Sequence, residues 1–275
     1  MRIMNINLRR NRLIRSVYGF PGRLADLVCP PVCILCGALP EWARDDVLLH
    51  INSSGGEVLI CKKCRDEISV AEDLQCPRCA SITGFRINGK NGCSRCPQQF
   101  PFERVVAIGP YDNQLSHKIL LMKHDRYFLL ADTFTRFLLD LRGEILRKLN
   151  PDYVVPIPMH RIRKFLRSVN SPERIALLIA RFLDVPCLNN LVYRNRWTVR
   201  QAALPRDRRG TNVAGAFSLT KEKNIFRISR PSIQGKKILL VDDVFTTGAT
   251  SGEVARLLKK NGAASVSVAV LARTE

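Results

Sequence analysis

Asp242 and Asp243 stand side by side at the end of an apolar run, Ile238-Leu239-Leu240-Val241, and Thr246-Thr247-Gly248-Ala249-Thr250 follows three residues on. Adjacent carboxylates at the end of a strand suit ribose hydroxyls or a Mg²⁺ shell. The apolar run reads as a strand buried on both faces of a parallel sheet. Within residues 251–260, Val254, Leu257 and Leu258 recur at helical spacing, and Asn261-Gly262 supplies a stop signal. The small, hydroxyl-rich turn therefore sits at a helix N-terminus, where unpaired N–H groups and the helix dipole attract anions and Gly248 permits close approach. A phosphorylated sugar with a metal ion fits both halves. A plain strand–turn–helix with solvated acids is the alternative, and it leaves the shared register of acids, threonines and glycine unexplained. Neither G-x-x-x-x-G-K-[ST] nor a strand followed by G-x-G-x-x-G occurs in the chain, which removes the main support for P-loop and dinucleotide folds.

A second chemistry is written in cysteine. Eight of the ten cysteines form four C-x-x-C pairs: Cys33/Cys36, Cys61/Cys64, Cys76/Cys79 and Cys93/Cys96. Each pair can share a metal ion, and a tetrahedral Cys₄ zinc site needs two pairs, so the chain holds enough for two structural sites. Spacing alone permits sequential grouping or cross-bracing. A disulfide framework is the competing reading, disfavoured by the lack of a secretory signal and by the intracellular, nucleotide-type character of the second half. Cys187 reads as a small core residue, and Cys29 as a spare thiol or alternative ligand.

These sites need scaffolds. From about residue 100 the cysteine-rich loops give way to alternating strands and helices: strand candidates at 105–108, 153–155 and 265–271, helices at 115–122, 129–149 and 174–183, then the turn-bearing unit. The pattern predicts an α/β fold, a parallel sheet with helices on both faces, preceded by a small cysteine-rich domain. The expected division is a basic extension at 1–23, the cysteine-rich domain at 24–99 and the α/β domain at 100–275. No apolar run reaches the ~18 residues of a membrane span, and the expected location is cytoplasmic.

Formal net charge is +20. Residues 1–23 carry Arg2, Arg9, Arg10, Arg12, Arg15 and Arg23 and no acid, and between Arg161 and Arg209 twelve Arg or Lys face three acids. A solvated face usually mixes signs, so the excess points to a polyanion, with nucleic acid the natural second ligand. Trp42, Trp197 and the phenylalanines offer stacking surfaces for a single strand, though aromatics are too few for sequence reading. Charge alone does not separate DNA from RNA.

Residues 241–250, V-D-D-V-F-T-T-G-A-T, resemble the phosphoribosyl-diphosphate (PRPP) motif of type I phosphoribosyltransferases. Over roughly residues 24–273 the chain resembles the ComF family, which joins a double zinc ribbon to a phosphoribosyltransferase domain and is associated with natural competence and incoming single-stranded DNA. Further matches are V-P-I-P-M-H at 155–160, Thr198-Val199-Arg200-Gln201, the Leu204 to Phe217 segment, Tyr111-Asp112 and Lys123-His124-Asp125-Arg126. The family's R-G-F-N-Q reads Arg167-Ser168-Val169-Asn170-Ser171 here, retaining only Arg167 and Asn170.

The resemblance implies sequential pairing of the cysteines around two Zn²⁺ ions. It implies PRPP with Mg²⁺ as substrate or ligand: Asp242 and Asp243 on the ribose hydroxyls and metal shell, Thr246, Thr247, Gly248, Ala249 and Thr250 on the 5′-phosphate, and Arg161, Lys164 and Arg167 on the pyrophosphate. Asp242, Asp243 and Arg167 are the expected catalytic residues of a transferase of pentosyl groups. Turnover stays open, because Thr246 stands where purine-salvage relatives place an acidic proton acceptor. Three readings follow: a PRPP- and single-stranded-DNA-binding protein of DNA uptake with competence or DNA-processing partners, a non-catalytic PRPP sensor or DNA-binding module on the same fold, and a salvage nucleobase phosphoribosyltransferase.

Overall fold

A computed structural model of the chain describes residues 32–39, 60–84, 92–96, 101–122, 128–158, 171–196, 212–220 and 231–275. The central sheet is parallel, with strand order β1 (Val105–Val106), β8 (Ser265–Ala269), β6 (Lys237–Val241), β3 (Tyr153–Pro156). Alternation along β6 decides the layering. Ile238 and Leu240 enter one core with Val254, Ala255 and Leu258 of helix α5 (Ala249–Lys260). Leu239 and Val241 enter the other, with Phe134 and Leu138 of α3 (Phe128–Leu149) and Ile175 and Ile179 of α4 (Ser171–Leu183). Both faces of the strand are therefore buried, and its unbroken apolar run is the consequence. The expected α/β architecture is the one observed.

A second parallel sheet, in the order β2 (Gly109–Pro110), β9 (Ala272–Arg273), β7 (Val244–Phe245), continues from the carboxyl ends of the first. Two segments that the apolar pattern predicts as single strands end early in the central sheet, just before the strands of this second one begin. The run 265–271 leaves β6 after Ala269, and Leu271 N and Ala272 N then donate to Asp243 O. Of residues 105–108 only Val105 and Val106 pair in the central sheet, and the second sheet begins at Gly109. The cause is a change of partner, which an apolar run does not record. Antiparallel β4 (Val192–Arg194) and β5 (Phe217–Leu219) form a separate two-stranded sheet, with Val192 and Phe217 in the same core as Val254.

Two helix starts show their local causes. Helix α2 (Asn113–Leu121) begins after Asp112, whose carboxylate accepts from Leu115 N at 3.2 Å. Helix α4 begins at Ser171-Pro172, three residues before its apolar periodicity, because proline is tolerated in a first turn.

The cysteine-rich segment packs directly on the α/β domain. Cys33, Ile60, Cys64 and Ile68 share a core with Ile108, Phe137 and Leu138. Ile68 closes α1 (Lys62–Ile68), and its carbonyl lies so close to Gly109 that a Cβ there would sit 2.2 Å from the oxygen. Arg142, 3 % exposed, donates to Ala107 O, Val70 O and Gln75 Oε1, joining α3 to both segments. Among the described residues, no helix is long and apolar enough to cross a membrane.

Candidate functional site

The strand carrying the two acids delivers them to the carboxyl edge of the sheet, where open α/β folds bind ligands. Val241 ends β6 paired with Pro156, and Ile157 N donates to Val241 O at 2.8 Å, so the Pro156-Ile157-Pro158 exit of β3 runs beside Asp242. Asp242 N donates to Ala269 O, which ties the first acid to the neighbouring strand. Asp242 Oδ1 accepts from Asp243 N at 2.9 Å, and Asp243 Oδ1 accepts from Val244 N at 2.8 Å. These bonds fix both half-buried carboxylates as acceptors at the mouth of the turn.

The turn closes on Gly248, the N-cap of α5, with φ of 74°. That left-handed conformation is cheap only for glycine, and a Cβ at this position would stand 2.6 Å from Phe245 Cζ. Gly252 N donates to Gly248 O at 2.7 Å to start the helix, and Ala249 N to Thr247 Oγ1 at 3.4 Å. Thr246, Thr247, Ala249 and Thr250 are half-buried around this closure. Within nine residues the arrangement brings together two carboxylates, three threonines and a helix N-terminus. It can bind an anionic group beside a polyol or a hard cation.

Arg161, Lys164 and Arg167 lie outside the described residues, as do Lys123 to Arg126, Thr198 to Gln201, Cys29, Trp42, Trp197 and the basic residues 1–23. Pro158 and Ser171 flank the 159–170 segment. Tyr111 and Asp112 are described: Tyr111 N donates to Arg273 O, and Asp112 serves as the cap of α2. Of the arginine-rich span 197–211 the described ends are held together, since Arg196 Nη2 donates to Asn212 O and Ala214 O and Asn195 N to Ala216 O. Gly215 N donates to Glu253 Oε1 at 2.7 Å, which anchors the segment after that span to α5 about one turn after Gly248. Glu253 is a residue that motif reading passes over. Its only sequence signal is an acid in the first turns of a helix otherwise ending in lysines.

The cysteines gather in sequence order. Cys33, Cys36, Cys61 and Cys64 form one group and Cys76, Cys79, Cys93 and Cys96 another, with all sulfurs in each group within 4.8 Å of one another. Among the described residues no cysteine is in a disulfide. Sulfur–sulfur separations of 3.8 Å for Cys36/Cys61, 3.6 Å for Cys76/Cys96 and Cys79/Cys93, and 3.8 Å for Cys93/Cys96 match the edge of about 3.8 Å of a tetrahedron with Zn–S arms of ~2.3 Å. Donor chemistry and spacing both fit zinc.

One thiol in each group is prepared for ionisation. Burial pushes Cys33 up, but the N–H groups of Cys36, Cys61 and Leu35 outweigh it and bring the pKa to about 7. Cys76 is brought to about 7 in the same way by the N–H groups of Cys79 and Arg78. Cys64 and Cys96 are pushed upward by burial and by the neighbouring cysteine sulfurs. Cys187 belongs to neither group. It is half-buried, its thiol donates to Asn189 Oδ1 at 3.0 Å, and burial and Glu173 raise it to about 11.

Comparison with known proteins agrees with this geometry. Residues 200–275 match the model of the phosphoribosyl transferase domain family. The chain is 33% identical over 228 residues to competence protein F of Haemophilus influenzae, covering 78% of this chain and 96% of that protein. It is 31% identical to the DNA utilization protein YhgH of Escherichia coli, covering 90% and 99%. Competence protein ComFC of Streptococcus pneumoniae is 27% identical, over 88% and 99%.

Proposed function

The chain belongs to the ComF family of competence and DNA-utilization proteins, and from that membership we propose that it binds PRPP with Mg²⁺ in the 242–250 turn and single-stranded DNA on its basic surface, acting in the cytoplasm in the uptake or use of DNA. The observation that carries the proposal is the short turn that leads from Asp242 and Asp243, at the carboxyl edge of the sheet, to the Gly248-capped start of α5.

In this reading the backbone N–H groups at residues 247–250 and the threonine hydroxyls receive the 5′-phosphate. Asp242 and Asp243 accept from the ribose hydroxyls and supply oxygen ligands for Mg²⁺, whose charge offsets that of the pyrophosphate. Arg161, Lys164 and Arg167 complete the pyrophosphate contacts. Were transfer to occur, an acceptor would form its bond at ribose C1 as the bond to pyrophosphate breaks, and the chain's share of the work is alignment and neutralisation of the leaving charge. Each Cys₄ group holds one structural Zn²⁺, with all four positions taken by thiolate and none left for a substrate.

A second reading, ligand binding without turnover, draws on the same turn. Both carboxylates already accept from the following N–H, and residues 246–250 contain no acid to remove a proton from an acceptor. Calorimetric titration with PRPP and Mg²⁺ tests the shared premise, with wild type against the Asp242→Asn/Asp243→Asn variant, in the presence and absence of single-stranded DNA. Saturable binding lost in the variant is expected; equal binding by both proteins, or none by wild type, overturns the reading. Pyrophosphate release during an acceptor screen then separates the transferase from the sensor.

A further inference from the structure

Arg273 spans the distance between the second cysteine group and the phosphate turn. It is 7 % exposed on β9, and its Nε donates to Cys79 O at 2.7 Å while Nη2 lies 3.9 Å from Cys79 Sγ. Its Nη1 donates to Thr274 O at 2.8 Å and lies 3.3 Å from Glu275 Oε1. Glu275 accepts from Ile82 N at 3.0 Å and pairs with Arg95, which stands between Cys93 and Cys96. The last three residues are thus stitched to both C-x-x-C pairs of the second group.

The backbone of the same residues carries the turn. Arg273 is paired in register with Phe245, Thr274 N donates to Phe245 O at 2.9 Å, and Leu271 N donates to Asp243 O at 3.1 Å. Phe245 lies beneath Gly248 and meets Phe102 edge to face, with ring centroids 5.7 Å apart. Phe102 itself follows the last cysteine pair in the chain. The first cysteine group lies in the other layer of the core, with Ile108 and Phe137, whereas Phe245 and Phe102 share their layer with Ala80, next to Cys79.

We propose that the metal held by Cys76, Cys79, Cys93 and Cys96 sets the conformation of the 242–250 turn, with Arg273 as the positioning residue that transmits it. Four thiolates drawn to one ion fix the Cys79 carbonyl in place. Without the ion that loop loses its constraint, and a buried guanidinium whose acceptor has moved must shift toward other partners or water. Because Arg273 and Phe245 share a rung of the sheet, the shift reaches the residues between Asp243 and Gly248. Coupling is reciprocal, so a ligand that orders the turn also tightens metal at the second group. The ligand half of the inference rests on the PRPP reading above; the metal-to-turn half does not.

The test uses the whole chain. Hydrogen exchange is followed at the amides of residues 244–248, together with zinc content and PRPP·Mg²⁺ affinity, in wild type, Arg273→Lys, Cys93→Ser and Cys36→Ser. Lysine keeps the charge but cannot reproduce the guanidinium's simultaneous contacts. The expected result is that Cys93→Ser loses one zinc, exchanges faster at 244–248 and binds PRPP about ten-fold more weakly, within the usual range for coupled sites. Arg273→Lys keeps two zinc ions yet shows both defects, and Cys36→Ser loses one zinc with neither defect. Unchanged exchange at 244–248 in Arg273→Lys, or equal acceleration in Cys36→Ser, overturns the coupling. If Cys93→Ser does not fold, the comparison of Arg273→Lys with Cys36→Ser still decides. If wild type binds no PRPP, the function reading fails, and exchange alone decides the coupling.

Discussion

Glu253 shows how one side chain joins two segments with different tasks. Its carboxylate accepts the Gly215 N–H and pairs with Arg256 at 2.8 Å, so α5 and the segment that follows the arginine-rich span are held together by a charge-assisted bond. Burial pushes the Glu253 pKa up, but the Gly215 N–H and Arg256 outweigh it and hold the group below the usual glutamate range. A depressed folded value means that the bond's contribution is complete above the unfolded pKa of about 4.3 and is lost as pH falls through the folded one. Glu253→Gln keeps an acceptor and removes the titration. The melting temperature of wild type should therefore exceed that of Glu253→Gln at neutral pH, with the gap closing below about pH 4. Glu253→Ala should cost about 1–2 kcal/mol in denaturant unfolding at neutral pH. A gap that persists unchanged into acid would show that the carboxylate's charge contributes nothing.

At the scale of elements, the strand–turn–helix unit of β6, β7 and α5 depends on one backbone conformation. Gly248 holds φ of 74° above the ring of Phe245, so a side chain there meets both backbone strain and a clash. Gly248→Ala should destabilise the chain by about 1 kcal/mol or somewhat more and weaken PRPP binding well beyond that, because the N–H groups of the α5 start turn away from the phosphate. Calorimetry beside denaturant unfolding separates the two effects, and equal affinity in the variant would show that the turn does not hold the ligand. This unit was legible from the sequence because all its signals are local: a four-residue apolar run, two adjacent acids, a glycine, and helical spacing after it. The grouping of cysteines was legible as a choice between two pairings, and chain folding made the choice. Arg273 and Arg142 gave no such signal. Arg273 stands in a two-residue strand and Arg142 is one of three arginines in α3, and their partners Cys79 and Gln75 lie 194 and 67 residues away. The early end of the 265–271 run at Ala269 was hidden for the same reason, since a strand's partners are set by distant segments.

For the whole molecule the main question is whether the cysteine-rich segment is an appendage or part of the fold. Cys33, Ile60, Cys64 and Ile68 sit in the same core as Phe134, Phe137 and Leu138 of α3, and Arg142 buries its guanidinium between Val70, Gln75 and Ala107. An appendage would unfold alone and leave the α/β domain intact. A shared core instead makes exposure of Ile68 an exposure of α3 as well, and breaking the Arg142 contacts strands a buried charge. Metal bound only by the folded state adds its binding free energy to folding. Chelation should therefore shift one cooperative thermal transition downward, seen alike by far-ultraviolet dichroism, which follows the α/β helices, and by thiol reactivity, which follows the cysteine groups. Arg142→Leu in the metal-loaded protein should lower the same single transition, since three acceptors lose their donor at once. Two resolved transitions, with only the cysteine-reporting one sensitive to chelator, would mean that the shared core contributes little and that the two segments fold separately.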